Sequence, residues 1–132
     1  MDANTTNSTS PTAAILLIGD ELLSGQVQDV NIHFIANKLF SKGITLKEVR
    51  VVPDEQEPII EAVNALRAQY TYVFTTGGIG PTHDDITADT IAKVFDVPLE
   101  LNLNAAKSFC ENVPEGLNPA QERMSTLPKG CR

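Results

Sequence analysis

Thr75-Thr76-Gly77-Gly78-Ile79-Gly80-Pro81-Thr82-His83-Asp84-Asp85-Ile86-Thr87 joins an apolar strand to a helix through a turn almost free of side chains that ends in paired carboxylates. Glycines at 77, 78 and 80 let backbone N–H groups approach a ligand closely, and the helix that follows points its positive end at the same place. An anion is therefore welcome there. Asp84 and Asp85 would repel a bound phosphate unless a divalent cation sat between them, so the loop and its acids together predict a metal-bridged nucleotide or other phosphorylated ligand. The plainer alternative is a tight turn with an Asp or Thr helix cap, and a lone Gly-Gly-x-Gly does not decide between the two.

Working outward, the flanking pattern is that of alternating strands and helices. Ala13 to Ile18 is a continuous apolar run closed by Gly19, as in a central parallel strand covered on both faces. A long polar loop follows. Ile32, Ile35, Ala36 and Leu39 then fall at helical spacing from Asn31, and Gly43 ends that helix. Ile44 to Val52 is rich in β-branched residues and predicts a second strand ending at Pro53-Asp54. Glu55, Glu57 and Pro58 suit a first helical turn, with Ile59, Val63 and Leu66 as the buried stripe. Tyr70 to Thr76 is the third strand. After the glycine loop, Ile91, Val94 and Phe95 mark a third helix, and Val97 to Leu101 reads as an edge strand or an extended connection. The alternation predicts an α/β fold with a mostly parallel sheet and right-handed crossovers.

The ends of the chain carry less signal. Residues 1–12 are polar and without periodicity, which predicts a disordered tail ahead of a single domain at 13–132. Beyond Asn102 two short helices are expected, around Ala105 to Glu111 and Pro119 to Leu127, separated by Pro114-Glu115-Gly116. Nothing there has the pattern of a closing strand. Three strands make a meagre core, so the domain reads as truncated at its C-terminal end, or as one whose sheet is completed by another molecule.

Composition narrows the function classes. With 132 residues, 42% of them hydrophobic, the chain can bury one core. Its net charge of −7, from 17 acidic and 10 basic residues, argues against a general nucleic-acid binder. A small anion would need local help from backbone N–H groups, from a metal, or from cations such as Lys38, Lys42 and Arg50. Two cysteines, Cys110 and Cys131, form no disulfide or zinc pattern, so a reducing, cytoplasmic setting is expected. No apolar run of about 18 residues predicts a membrane span.

Four stretches in order carry a resemblance. Ile18-Gly19-Asp20-Glu21-Leu22-Leu23-Ser24-Gly25-Gln26, Asp29-Val30-Asn31, Val52-Pro53-Asp54-Glu55 and Thr75 to Thr87 resemble the successive motifs of the molybdopterin-binding domain family. The likeness spans roughly Ala13 to Asn102 and is strongest to the competence/damage-inducible protein A branch and to the matching domain of FAD synthases. It implies a doubly wound, Rossmann-like domain with its ligand at the carboxyl ends of the strands. In the branch that adenylylates molybdopterin, the acids matching Asp54 and Asp85 are implicated in catalysis. Relatives with the loop Gly-Gly-x-Gly-Pro-Thr-x-Asp-Asp, as at Gly77 to Asp85, are associated with metal-dependent hydrolysis of nucleotide pyrophosphates such as ADP-ribose. His83 fills the variable place, where the adenylylating branch often has a basic residue.

The resemblance makes Asp54 and Asp85 the expected catalytic acids and Asp84 with Asp85 the expected metal ligands, for Mg, Mn or Co. Gly19, Glu21, Gly77, Gly78, Gly80, Thr82 and His83 are the expected ligand-binding residues, with a nucleotide or a pterin phosphate, molybdopterin included, as the partner. Gly-Gln-x-x-Asp-x-Asn at Gly25 to Asn31 favours hydrolysis over adenylyl transfer, with non-catalytic binding as a further alternative. Each residue also has a plain reading: Asp20 and Glu21 as solvated loop acids, Asp29 as a turn residue before an Asn31 helix cap, Asp54 and Asp84 as helix caps, and His33 as a surface side chain. Related domains commonly form dimers or trimers, so a homo-oligomer is expected.

Overall fold

The computed structural model describes residues 10–111 and 115–131. In chain order the elements are β1 (Thr12–Ile18), α1 (Asp20–Leu23), α2 (Asn31–Ser41), β2 (Thr45–Val52), α3 (Gln56–Arg67), β3 (Tyr72–Thr76), α4 (Thr87–Phe95), β4 (Leu99–Leu101), α5 (Leu103–Lys107), α6 (Pro119–Met124) and β5 (Thr126–Pro128). The first nine residues of the predicted tail, and Pro114 of the predicted break, lie outside the described residues. Thr12, assigned to the tail from its composition, is instead the first residue of β1.

The main sheet has three parallel strands in the order β2-β1-β3. From β1 the chain steps outward to β2, then returns across β1 to β3. With one handedness for both crossovers, α2 and α3 must lie on opposite faces, and the domain is doubly wound. β1 is accordingly covered on both sides, and every residue from Ala13 to Ile18 is buried. Its apolar run without alternation is the signature of that position. Ala14, Leu16 and Ile18 pack against Ile59, Ala62, Val63 and Leu66 of α3. Burying Ile15, Leu16, Leu17 and Ile18 contributes about 1.5–3 kcal/mol per side chain, an upper bound set by the extended-chain reference.

The ends of the elements follow local chemistry. Asp29 Oδ2 accepts from the Ile32 N–H at 2.8 Å, so Asp29 caps α2 while Val30 holds the cap position and Asn31 is the first helical residue. Asn118 and Gln121 form a reciprocal capping box at α6, with Pro119 at its start. Two expectations need correction. The long polar loop after β1 contains a single helical turn, α1. A strand does lie near the C-terminus, because β5 pairs antiparallel with β4, Leu99 facing Pro128 and Leu101 facing Thr126. Three residues ending in proline are too few to display a period of two, which hid this strand. The β4-β5 pair does not join the parallel sheet, so β2 and β3 remain its edges. Among the described residues no helix is long and apolar enough to cross a membrane.

Candidate functional site at the strand ends

Three loops leave the carboxyl ends of β1, β2 and β3, and they are tied to one another. The Asp20 N–H donates to Asp54 Oδ2 at 3.3 Å, the Asp54 N–H donates to Asp20 Oδ1 at 3.0 Å, and the Gly19 N–H donates to the Val52 carbonyl at 3.0 Å. The first two loops thus latch each other. Asp54 is not the cap of α3, which begins after Glu55 without a side-chain hydrogen bond. Glu21 folds back over Gly19, where a β-carbon would lie 2.8 Å from its Oε2.

The glycine loop is built against this pair. Gly77 (φ 96°) and Gly78 (φ 65°) take the left-handed conformation that other residues resist. A β-carbon on Gly77 would stand 1.9 Å from the Ile18 carbonyl oxygen, and one on Gly78 would stand 2.3 Å from Thr87 Oγ1 and 3.3 Å from Asp54 Oδ1. The loop therefore presses directly on β1 and on Asp54. Thr87, buried at the first turn of α4, donates from Oγ1 to the Gly77 carbonyl at 2.8 Å and from its N–H to the Gly78 carbonyl at 3.1 Å. Thr82 gives both its N–H (3.0 Å) and its hydroxyl (2.9 Å) to Asp85 Oδ2, closing a small turn. Neither Asp84 nor Asp85 caps α4, whose cap residue is Ile86.

Electrostatics separate the two central acids. The Thr82 N–H holds the Asp85 carboxyl below the ordinary range, aided by the Thr82 hydroxyl, the Gly80 N–H and Arg123, against a smaller opposing effect of burial. Asp54 moves the other way. Burial pushes it up, and the charges of Asp20, Glu21 and Asp85 add to the rise, while the Asp20 N–H opposes it. A carboxyl raised in the fold favours the folded state in acid, and that advantage disappears as pH rises through its folded pKa. Ionised Asp54 therefore costs stability at neutral pH. Asp54→Asn is expected to raise the melting temperature by a few degrees at pH 7, with the gap closing in acid. Equal melting temperatures across pH would show that Asp54 feels no such crowding.

The structure brings Gly19, Asp20, Glu21, Asp54, Gly78, Gly80, Thr82 and Asp85 to one place. It does not bring His83 and Asp84 there. Their side chains are 94% and 86% exposed and face each other, His83 Nε2 lying 3.3 Å from Asp84 Oδ1. His33 bonds to Asn37 on the surface of α2. Among the described residues no group of three or more His, Cys, Asp or Glu side chains is arranged to hold a metal ion. One or two carboxylates acting with ligand phosphate oxygens is nevertheless a usual way to hold Mg. Of the cations named from sequence, Lys38 lies 5.7 Å over the Phe34 ring and Arg50 pairs with Glu48 at 2.6 Å. The cation that reaches the loop is Arg123, which donates to the Asp85 carbonyl at 2.8 Å. It escaped sequence reasoning because no spacing rule links residues 38 apart. Thr87 escaped because it looked like an ordinary helix start.

A family model described as a probable molybdopterin binding domain matches residues 14–121. The chain belongs to that family. Similar proteins include a CinA-like protein of Citrifermentans bemidjiense, 43% identical over 122 residues that make up 90% of this chain and 30% of that protein. A probable FAD synthase of Caenorhabditis elegans is 37% identical, covering 89% of this chain and 26% of that one. The chain thus spans less than a third of the length of these relatives. Among solved structures, CinA of Thermoplasma acidophilum, a protein of unknown function, superposes with a TM-score of 0.76 at 28% identity, over 93% of this chain and 73% of that one. The tungsten cofactor synthesizing protein MoaB of Pyrococcus furiosus gives 0.65 at 25% identity, over 81% and 67%. These agree with the parallel three-strand α/β fold derived above.

Proposed function

We propose that this domain hydrolyses a nucleotide pyrophosphate of the ADP-ribose or FAD kind with the help of a divalent metal. The observation that carries the reading is the place of Asp54, latched to Asp20 by reciprocal hydrogen bonds and 3.3 Å from where a Gly78 β-carbon would stand, its carboxyl raised by burial and further by the charges of Asp20, Glu21 and Asp85. Carboxylates gathered where backbone N–H groups attract phosphate form a stable arrangement once a cation lies between the two kinds of charge. Asp54 and Asp85 would hold that ion, whose charge would offset that of the phosphates and make phosphorus more open to attack by water. Gly77, Gly78 and the N-terminal end of α4 would receive the phosphates, while Thr82 keeps Asp85 ionised. The likeness to a probable FAD synthase supports a nucleotide as ligand.

A second reading is molybdopterin binding or adenylylation, favoured by the family match itself. Both reactions need the same metal and carboxylates and differ in whether water or a pterin phosphate attacks. Incubation with ADP-ribose, with FAD, and with molybdopterin plus ATP, each with Mg, Mn or Co, separates them by product, adenylylation releasing pyrophosphate from the ATP. AMP released from ADP-ribose or FAD supports hydrolysis. Pterin binding without that release supports the second reading, and neither result would overturn both.

We further propose a homo-oligomer. Val30 (74% exposed), Phe34 (61%) and Phe40 (86%) place large apolar side chains in solvent on and beside α2, and among the described residues β2 and β3 have no outer neighbours in the sheet. Light scattering on the purified chain is expected to give a dimer or trimer mass. A monodisperse monomer with a cooperative melt well above room temperature would contradict this.

A further inference from the structure

We propose that Arg123 is the positioning residue of the glycine loop, holding the Thr82–Asp85 turn from behind so that its acid and N–H groups stay aimed at a phosphate. The inference rests on the reading of that loop as a phosphate site. Arg123 Nη2 donates to the Asp85 carbonyl at 2.8 Å and reaches the Thr82 carbonyl at 3.5 Å, while Nη2 lies 3.6 Å from Asp89 Oδ2 on α4. These two carbonyls belong to the residues whose side chains close the turn on its other side, through the double donation of Thr82 to Asp85 Oδ2. The guanidinium therefore grips the main chain of the turn while the turn grips the carboxylate. Asp89 anchors the guanidinium to the helix that the loop feeds.

The segment that delivers Arg123 is itself fixed. α6 starts with a capping box and Pro119, and it runs directly into β5, which is paired with β4. A lysine would be a poor substitute, because all three contacts are made by Nη2 at the far tip of the guanidinium, and a lysine ammonium ends one bond closer to the backbone. The plainer role is a tie that merely fastens α6 to the domain. That role predicts a loss of stability without a specific loss of phosphate affinity.

The test measures binding of pyrophosphate with Mg by calorimetry, together with melting temperature and loop amide NMR shifts, for wild type, Arg123→Met, Arg123→Lys and Asp89→Asn. Arg123→Met is expected to weaken pyrophosphate binding about tenfold or more. Millimolar guanidinium ion should restore part of that loss, and Arg123→Lys should restore little. Asp89→Asn, which loosens the anchor and leaves Arg123 in place, should weaken binding in the same direction by a smaller factor, and it carries the test if Arg123→Met does not fold. Unchanged pyrophosphate affinity in folded Arg123→Met, or in Asp89→Asn where that variant must stand in, would overturn the positioning role, whatever happens to the melting temperature. If wild type itself binds no pyrophosphate, the phosphate reading fails and the positioning role falls with it. Movement of the Thr82 and Asp85 amides would then leave Arg123 only the plainer role of a tie.

Discussion

Asp85→Asn is expected to lower metal-dependent turnover by about a hundredfold or more while changing nucleotide affinity far less. The substitution keeps the shape of the side chain and removes its charge. Asp85 is the acid that the fold holds ionised, through the Thr82 N–H at 3.0 Å and hydroxyl at 2.9 Å. The Gly80 N–H adds to that hold. An amide can still accept one bond from Thr82, so the turn should survive, and the loss would fall on the chemical step. Steady-state kinetics beside calorimetric nucleotide binding make the comparison. Turnover within about twofold of wild type, well inside the effect of losing one such group, would leave Asp85 with turn closure alone.

The largest effect on stability is expected at Gly77. A methyl group there would meet the Ile18 carbonyl oxygen at 1.9 Å, and that carbonyl belongs to the strand at the centre of the core, which cannot step aside. The φ of 96° adds backbone strain. Gly77→Ala is expected to cost roughly 3 kcal/mol or more, a large share of a typical domain's margin, and to lower the melting temperature by about 10 °C or more. Gly43→Ala is the control. It has a similar φ of 75° but nothing within 4 Å of the added carbon, so it should cost only about 1 kcal/mol. Thermal unfolding of the two variants side by side checks this. Equal small losses would mean that the glycine loop does not pack on β1.

What the sequence made legible was whatever depends on near neighbours. β1 announced itself through an apolar run with no alternation, α3 through Ile59, Val63 and Leu66 on one face, and the loop through its glycines and acids. The family motifs added where the strand ends converge. What stayed hidden depends on contacts across long separations or on very short elements. The latch between Asp20 and Asp54 spans 34 residues, and the hold of Arg123 on Asp85 spans 38. β5 is three residues long. Adjacency in sequence also misled at one point: Asp84 and Asp85 look like a pair, yet the turn closed by Thr82 keeps Asp85 with the loops and leaves Asp84 in solvent with His83.

The contact between Gly77 and the Ile18 carbonyl gives the core and the site a common wall. Such a wall limits how the domain can diversify. Positions 77 and 78 have no room for a side chain, so they cannot change without loss of the fold or of the loop's geometry. Positions 83 and 84 are nearly free of packing and stand beside the same loop. Substitutions at His83 and Asp84 can therefore be accepted at little cost in stability, which leaves them the stretch of the loop most open to change.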